Sequence, residues 1–395
     1  MIEKRRQRLA GALLGAARSG NPDKISAIAR DLHETEGWSR RYSEKSLTEQ
    51  LLPPLVEKLE GRLDIAFARE LADKLVDGYE GYRTVQVIRL PVMNLTVPSP
   101  VEVGGAVLRT LDEELLAEME AGLRLVVLEP PNSPGTADSA SKRLREGWQD
   151  RMGQAVAELR VNAMRDVAEE RGRERYAELL DFLNGATTLL YSSSRRMRVG
   201  AAGQFAREIE NSFLISEPPE SVSTTLTWRG PIGEFTLDEE AVSKLKECGY
   251  WQIAEVLALE PEDRTELESA LITALHWYAD HATQATTASQ LLSLTISAET
   301  IFPRRGSGIG FGCAEAVAFA ISDEAERRFA IRRAFQDLYG KRGDIAHRGE
   351  GEVTESDIYL LATLVIELLL KVGEVRSTYT TRAGLEASID QARLA

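Results

Sequence analysis

This 395-residue chain has few of the residues that build disulfide frameworks and metal sites. Its two cysteines, Cys248 and Cys313, do not stand in the spacing of a metal-ligand motif. The four histidines, at positions 33, 276, 281 and 347, are too few for a structural zinc site, and the middle two are expected to be ordinary helix residues. We therefore expect no disulfide framework, no bound metal and no cofactor.

Long apolar runs are also absent. No stretch approaches the roughly 18–20 apolar residues that span a bilayer. The opening MIEKRRQRLAGALLGAARSG favours an amphipathic helix over a signal peptide, because arginines interrupt its apolar part. With aromatic residues at only 6% of the chain, broad aromatic binding platforms are not expected either. These features predict a cytoplasmic protein without membrane contact.

The net charge of −14 argues against non-specific wrapping of nucleic acid. Screening limits the reach of distant charges to about 10 Å, so local basic patches remain compatible with this total. An acidic nuclease would need its arginines concentrated where the phosphate lies.

Hydrophobic periodicity divides the chain into four parts. Residues 1–80 have helical spacing, and residues 81–258 form a mixed α/β region. The β-branched runs at 84–97, 101–111, 123–130, 224–230 and 234–237 predict strands. One or two long helices are predicted over roughly 142–185, including 156–183. Residues 259–376 predict a helical bundle, and 377–395 a tail. The expected fold class is α+β, mostly helical, with the mixed region preceding the bundle.

Within the bundle region the sequence predicts two helices over 264–302 with a polar hinge near 283–287. A glycine loop over 304–313 and helices over 313–321 and 323–340 follow. The last helix, 354–375, is strongly apolar and opens with Thr354 and Asp357 in a capping-box pattern. Such an apolar helix must be buried on most sides.

The stretch 339-YGKRGDIAHRGEG-351 carries the residues that favour catalysis. We expect Gly340 and Gly343 to end a helix, so that Arg342 and His347 lie in the joint before the next one. A broken turn would let both side chains reach one ligand. In a regular helix the two positions would instead be about 140° apart around the axis.

An arginine and a histidine together suit phosphodiester chemistry. Arg342 offers a permanent charge and a planar fork of donors, and His347 can transfer a proton near neutral pH, typically worth about 10²–10⁴ in rate. In RNA the ribose 2′-OH is an internal nucleophile, so no metal is required, and a 2′,3′-cyclic phosphate and a 5′-hydroxyl remain. Cleavage needs both a base and an acid, and a two-fold dimer would supply the second histidine.

Further cations are candidates for RNA binding around this motif: Lys341, Arg348, Arg332, Arg333, Arg304 and Arg305. The alternative is a solvated face balanced by nearby acids, which is favoured for Arg327 and Arg328 and stays open for Arg332 and Arg333. The loop 192-SSSRRMRVG-200 could grip a phosphate or be an ordinary surface loop. The run GSGIGFG at 306–312 lacks the residues of a Walker loop.

The order and spacing of features from 264 to 375 resemble the HEPN superfamily, and within it the Apea-like group of bacterial proteins. The resemblance lies in a first helix with ALHWYADH, a second helix ending in SAETIF, and the run LYGKRGDIAHRG before an apolar last helix. It covers about the last third of the chain. It implies a HEPN-like helical bundle, a metal-independent endoribonuclease whose active site forms across a dimer, acting in phage defence or as a toxin.

The resemblance also implies roles for single residues. Arg342 and His347 take the catalytic positions, and Asp344 corresponds to the polar position of the motif, displaced by one glycine. Capping a turn is the alternative for Asp344. Glu299 matches the acid near the end of the second helix, with a structural ion pair to an arginine as its alternative. Tyr339 matches the aromatic before the motif, or is a packing residue.

The sequence therefore predicts an RNase effector whose N-terminal region senses, recruits or restrains and whose bundle cuts tRNA or other single-stranded RNA. RNA and a second copy of the chain, in a homodimer or higher homo-oligomer, are the expected partners. A phage component or a partner protein is the candidate trigger. One alternative is a non-catalytic dimerising HEPN module that binds RNA or nucleotide as scaffold or regulator. Another is a nucleotide-handling enzyme that uses the loop at 304–313.

Overall fold

The computed structural model describes residues 2–19, 21–35, 38–40, 42–60, 62–81, 85–127, 136–191, 198–201, 208–215, 222–229, 234–284, 286–303, 309–348 and 352–394. The predicted fold class, α+β and mostly helical, is confirmed. The chain forms two compact units, one of Met1–Ile88 with Leu159–Arg175 and the other of Arg89–Glu158 with Tyr176–Ala395. No helix in the described part of the chain is both long and apolar enough to cross a membrane.

The elements that precede the C-terminal bundle follow in chain order. The helices are α1 (Ile2–Ser19), α2 (Pro22–Thr35), α3 (Glu44–Ser46), α4 (Leu52–Glu60), α5 (Ile65–Gly81), α6 (Glu113–Val127), α7 (Thr136–Gln149), α8 (Arg165–Leu190), α9 (Glu239–Glu247) and α10 (Trp251–Leu257). The strands are β1 (Val85–Met93), β2 (Leu95–Thr96), β3 (Val101–Val103), β4 (Ala106–Thr110), β5 (Ala155–Asn162), β6 (Gly200–Ala201), β7 (Glu208–Ile215), β8 (Val222–Arg229) and β9 (Phe235–Thr236). Single-turn 3-10 helices lie at Trp38–Arg40 and Pro261–Asp263, and a π-helical segment at Leu47–Leu51.

The first unit has a helical core. Helix α1 packs against α2, α4 and α5, and its apolar positions Leu9 and Leu13 are buried at helical spacing on one face. Trp38, in the 3-10 turn after α2, is fully buried in the same core. The helical periodicity predicted for residues 1–80 is present, since α1 to α5 fill this range.

The main sheet has the strand order β3-β4-β5-β1-β6, and two of the sequence predictions fail beside it. The segment predicted as a helix from residue 156 begins instead with β5, whose residues 155–159 are all buried. A strand buried on both faces lacks the alternation of apolar and polar residues by which a strand is recognised in a sequence. The charged Glu158 also makes this segment look unlike a buried strand, but in the structure Arg89 pairs with its buried carboxylate at 2.9 Å. The strand predicted at 123–130 is also wrong over residues 123–127, because these residues form the end of α6.

Helix α8 is joined to α10 and α11 by both packing and charge. The ring of Tyr250 stacks on Phe182 at 4.7 Å between centroids, and its hydroxyl donates to the Phe182 carbonyl oxygen at 2.8 Å. Arg264, just before α11, makes two hydrogen bonds of 2.7 Å to the carboxylate of Glu178 on α8. Gly185 of α8 faces the Tyr250 hydroxyl, which leaves no room for a side chain there.

The C-terminal bundle consists of six helices in the described part of the chain. They are α11 (Glu266–His281), α12 (Thr287–Ile301), α13 (Ile309–Ile321), α14 (Ala325–Arg348), α15 (Glu355–Val375) and α16 (Arg382–Leu394). The predicted polar hinge after α11 is present, with Thr286 capping α12, and the predicted capping box of Thr354 and Asp357 opens α15. Helix α15 packs against α10 to α14, which explains why it is apolar on most sides. Helix α16, in the range predicted as a tail, packs on α13.

The close approach of Gly185 to Tyr250 predicts a large effect of one methyl group. A Cβ at position 185 would lie 2.1 Å from the Tyr250 hydroxyl oxygen, so Gly185→Ala should displace a fully buried ring and lower the free energy of unfolding by about 1–3 kcal/mol. Gly15→Ala is the matched control, because a Cβ there meets nothing within 4 Å and α1 gains helix propensity. Urea denaturation measures both. Equal stability of Gly185→Ala and the wild type would contradict this packing.

Candidate functional site

The prediction that a joint between two helices begins at Gly340 is wrong. Helix α14 does not end at Gly340 or Gly343 but continues as a regular helix to Arg348. Arg342 and His347 are therefore positions of one helix, about 140° apart around its axis and about 7.5 Å apart along it. The side chain of His347 lies outside the described residues, as do those of Ala346 and Arg348.

Two of the predicted residues meet Arg342. The hydroxyl of Tyr339, one turn earlier on α14, donates a hydrogen bond to Oε1 of Glu299 on α12. The other oxygen of Glu299 lies 3.8 Å from Nη2 of Arg342. The guanidinium carbon is also 5.4 Å from the centroid of the Tyr339 ring, within the range of a cation–π contact. We call Glu299, Tyr339 and Arg342 the α12–α14 cluster.

The cluster leaves donor capacity on its arginine. The Arg342 side chain is 27% exposed, and at 3.8 Å its contact with Glu299 is an ion pair rather than a hydrogen bond. Its Nε is buried and has no hydrogen-bond partner among the described residues. Burial, followed by the Glu299 carboxylate, raises the pKa of Tyr339, so the phenol keeps its proton at neutral pH. This arrangement can hold an anion with the guanidinium while the phenol holds Glu299 in place.

The neighbouring Lys341 is engaged with α15. Its Nζ lies 2.7 Å from Oδ2 of Asp357, the residue whose carboxylate also accepts hydrogen bonds from the backbone N–H and the hydroxyl of Thr354, both at 2.8 Å. Burial alone would raise the pKa of Asp357, but the hydrogen bonds from Lys341 and Thr354 outweigh it and lower the pKa. Lys341, predicted to bind RNA, thus forms an ion pair in the structure.

The other candidates are not gathered at the cluster. Asp344 is an exposed position of α14, and Arg333 is exposed as well. The guanidinium of Arg332 lies 5.5 Å from the ring centroid of Phe329, and ten residues of helix place it about 15 Å along the axis from Arg342. The predicted RNA-binding residues Arg304 and Arg305 lie outside the described residues, as do residues 192–197 of the loop predicted at 192–200.

The alternative of balanced charges fits the start of α14. Arg327 pairs with Glu367 of α15 at 2.9 Å. Arg328 pairs with Asp323 at 3.3 Å and stacks on the ring of Phe319, 4.2 Å from its centroid. For these two arginines the structure gives each a partner within the bundle.

Both histidines predicted to be ordinary helix residues lie in α11, and His276 also contacts α8. Its Nδ1 lies 2.9 Å from Oδ2 of Asp181 on α8, and its side chain is 57% exposed. The Asp181 hydrogen bond raises the pKa of His276. His281 is buried and bonds the carbonyl oxygen of Tyr278, and burial lowers its pKa to about 4. The partner of His276 lies 95 residues away in the chain, so no local pattern could reveal the pair.

A shared metal site does not emerge from these side chains. Among the residues that the structure describes, no group of three His, Cys, Asp or Glu is placed to hold an ion together.

Comparison of the chain with models of protein families, with curated proteins and with solved structures found no match. The resemblance to the HEPN superfamily therefore stays a hypothesis that depends on the order of motifs in the sequence.

The His276–Asp181 contact predicts a pH-dependent stability. Because the folded state raises the pKa of His276, the bond contributes fully below the unfolded value of about 6.5 and is lost as the pH rises through the folded value. The bond also needs the Asp181 carboxylate to be ionised, and because burial raises the pKa of Asp181, the contribution decreases again in strong acid. Urea denaturation of the wild type and His276→Gln should differ more at pH 5.5 than at pH 8.5. A pH-independent difference would contradict the assignment.

Proposed function

We propose that the chain is a metal-independent endoribonuclease effector that cleaves tRNA or other single-stranded RNA through Arg342 and His347, with the site completed in a dimer. The observation that supports it most is the state of Arg342, a partly exposed guanidinium with a buried, unbonded Nε and a 3.8 Å contact to Glu299. Phosphate oxygens are suited to such a planar donor group. In the cell we propose a cytoplasmic effector, restrained by its N-terminal region until triggered during phage infection or in toxin activation.

The proposed reaction needs three roles. A base takes the proton from the ribose 2′-OH as its oxygen attacks phosphorus, and an acid gives a proton to the 5′ oxygen as the phosphorus–oxygen bond breaks. Arg342 neutralises the phosphate oxygens as negative charge grows on them. His347 serves as base or acid, and the His347 of a second copy supplies the other role.

A second function has its own supporting observation. Helix α14 continues to Arg348, so Arg342 and His347 are on different sides of a regular helix. This geometry favours a non-catalytic dimerising module that binds RNA or nucleotide through its cations, as scaffold or regulator. The catalytic function requires His347 for proton transfer, whereas the binding module does not.

Cleavage assays separate the two functions. The purified chain should cut tRNA or single-stranded RNA in the presence of EDTA. His347→Ala should lower the rate about 10²–10⁴-fold through loss of proton transfer, and Arg342→Ala about 10²–10³-fold through loss of charge stabilisation. His33→Ala and Arg327→Ala are matched controls in α2 and at the start of α14. Activity that disappears with EDTA, or full activity of His347→Ala, would contradict the mechanism, whereas RNA that the wild type binds but does not cut would support the binding module.

The dimer makes a separate prediction. Because one chain supplies one His347, the cleavage rate per chain should fall on dilution over the range in which analytical ultracentrifugation shows the dimer dissociating. A monomer that cuts RNA at an undiminished rate per chain would rule out a site completed by two copies.

A further inference from the structure

The two glycines inside α14 have no packing role in the helix. A Cβ built at Gly340 or at Gly343 meets nothing within 4 Å. Glycine weakens a helix interior because it loses more backbone freedom than alanine does. Alanine would therefore fit this helix better at both positions, and the glycines are suited to a second, non-helical conformation of the same segment.

Two carboxylates contact the start of this segment. Glu299 accepts the Tyr339 hydrogen bond and lies 3.8 Å from Arg342, and Asp357 pairs with Lys341 at 2.7 Å. Asp357 is itself fixed by Thr354 in the capping box of α15. The start of this segment is thus tied to α12 through Tyr339 and Arg342 and to α15 through Lys341.

These carboxylates occupy the positions that phosphate oxygens would take around an RNA-binding cation. An RNA backbone that binds Lys341 and Arg342 has to compete with Asp357 and Glu299 for them. A ligand that binds one of two conformations more tightly shifts the population toward it. Binding of RNA would then release the same contacts that keep α14 helical beyond Gly340.

We infer that residues 340–348 form a helix-to-coil switch, closed by the Lys341–Asp357 and Arg342–Glu299 pairs and opened by RNA phosphates. In the closed form the Arg342 and His347 positions lie on different sides of α14. Unwinding at Gly340 and Gly343 removes that constraint and lets both positions approach one phosphate. The effect of the switch on RNA cleavage depends on the proposed function, but the unwinding of the helix can be measured without RNA cleavage.

The test combines amide hydrogen exchange over residues 340–348 with RNA cleavage by the full chain. Gly340→Ala with Gly343→Ala should slow exchange in this segment by about two- to fivefold for each substitution, since alanine favours the closed helix. Cleavage should fall by a similar factor. Gly11→Ala in α1, where a Cβ also meets nothing within 4 Å, should change neither readout.

The opposite change should have the opposite effect. Asp357→Asn removes the charge that holds Lys341, so exchange over 340–348 and cleavage should both rise, whereas Glu374→Gln, which breaks the Lys371–Glu374 pair of 2.7 Å elsewhere on α15, should leave both unchanged. Slower exchange with unchanged or faster cleavage in the alanine variant would overturn the switch, because the helix would then be the active form. If the wild type cuts no RNA, the proposed function fails, and equal exchange in all variants would overturn the switch independently.

Discussion

The contact of Glu299 with Tyr339 and Arg342 is the interaction on which the candidate site depends. It joins α12 to α14 by one hydrogen bond and one ion pair from a single carboxylate. Tyr339 also stacks on the buried Phe335, with ring centroids 6.4 Å apart, so the phenol is fixed to the bundle core. The tyrosine donates to one carboxylate oxygen of Glu299, and the second oxygen faces the guanidinium of Arg342. The guanidinium is therefore held in place while some of its N–H donors stay available.

The same contact explains why structural and functional roles are hard to separate here. Sequence reasoning offers a catalytic supporting role or a structural ion pair for Glu299, and the observed geometry is that of the ion pair. An arginine that is held by a carboxylate at 3.8 Å rather than by a short double hydrogen bond is nevertheless available to a stronger anion. Arg264 and Glu178 illustrate the contrast, since their two bonds of 2.7 Å leave less for a ligand.

Much of the fold is predictable from local pattern. The capping box at Thr354 and the polar hinge before Thr287 identify helix starts, because the side chains that make these caps are close in sequence. The errors have physical causes: β5 is buried on both faces and carries a paired Glu158, and glycine weakens a helix without necessarily ending it, so α14 continues through Gly340 and Gly343. The Asp181–His276 pair depends on the packing of α8 against α11, which sequence spacing does not encode.

The chemistry of the RNA ends tests the central proposal most directly. Mass spectrometry of the products formed from a defined RNA in the presence of EDTA distinguishes attack by the internal 2′-OH from attack by water. The proposed mechanism predicts 2′,3′-cyclic phosphate and 5′-hydroxyl ends. Products with 3′-hydroxyl and 5′-phosphate ends, or RNA that stays intact at every chain concentration, would contradict it.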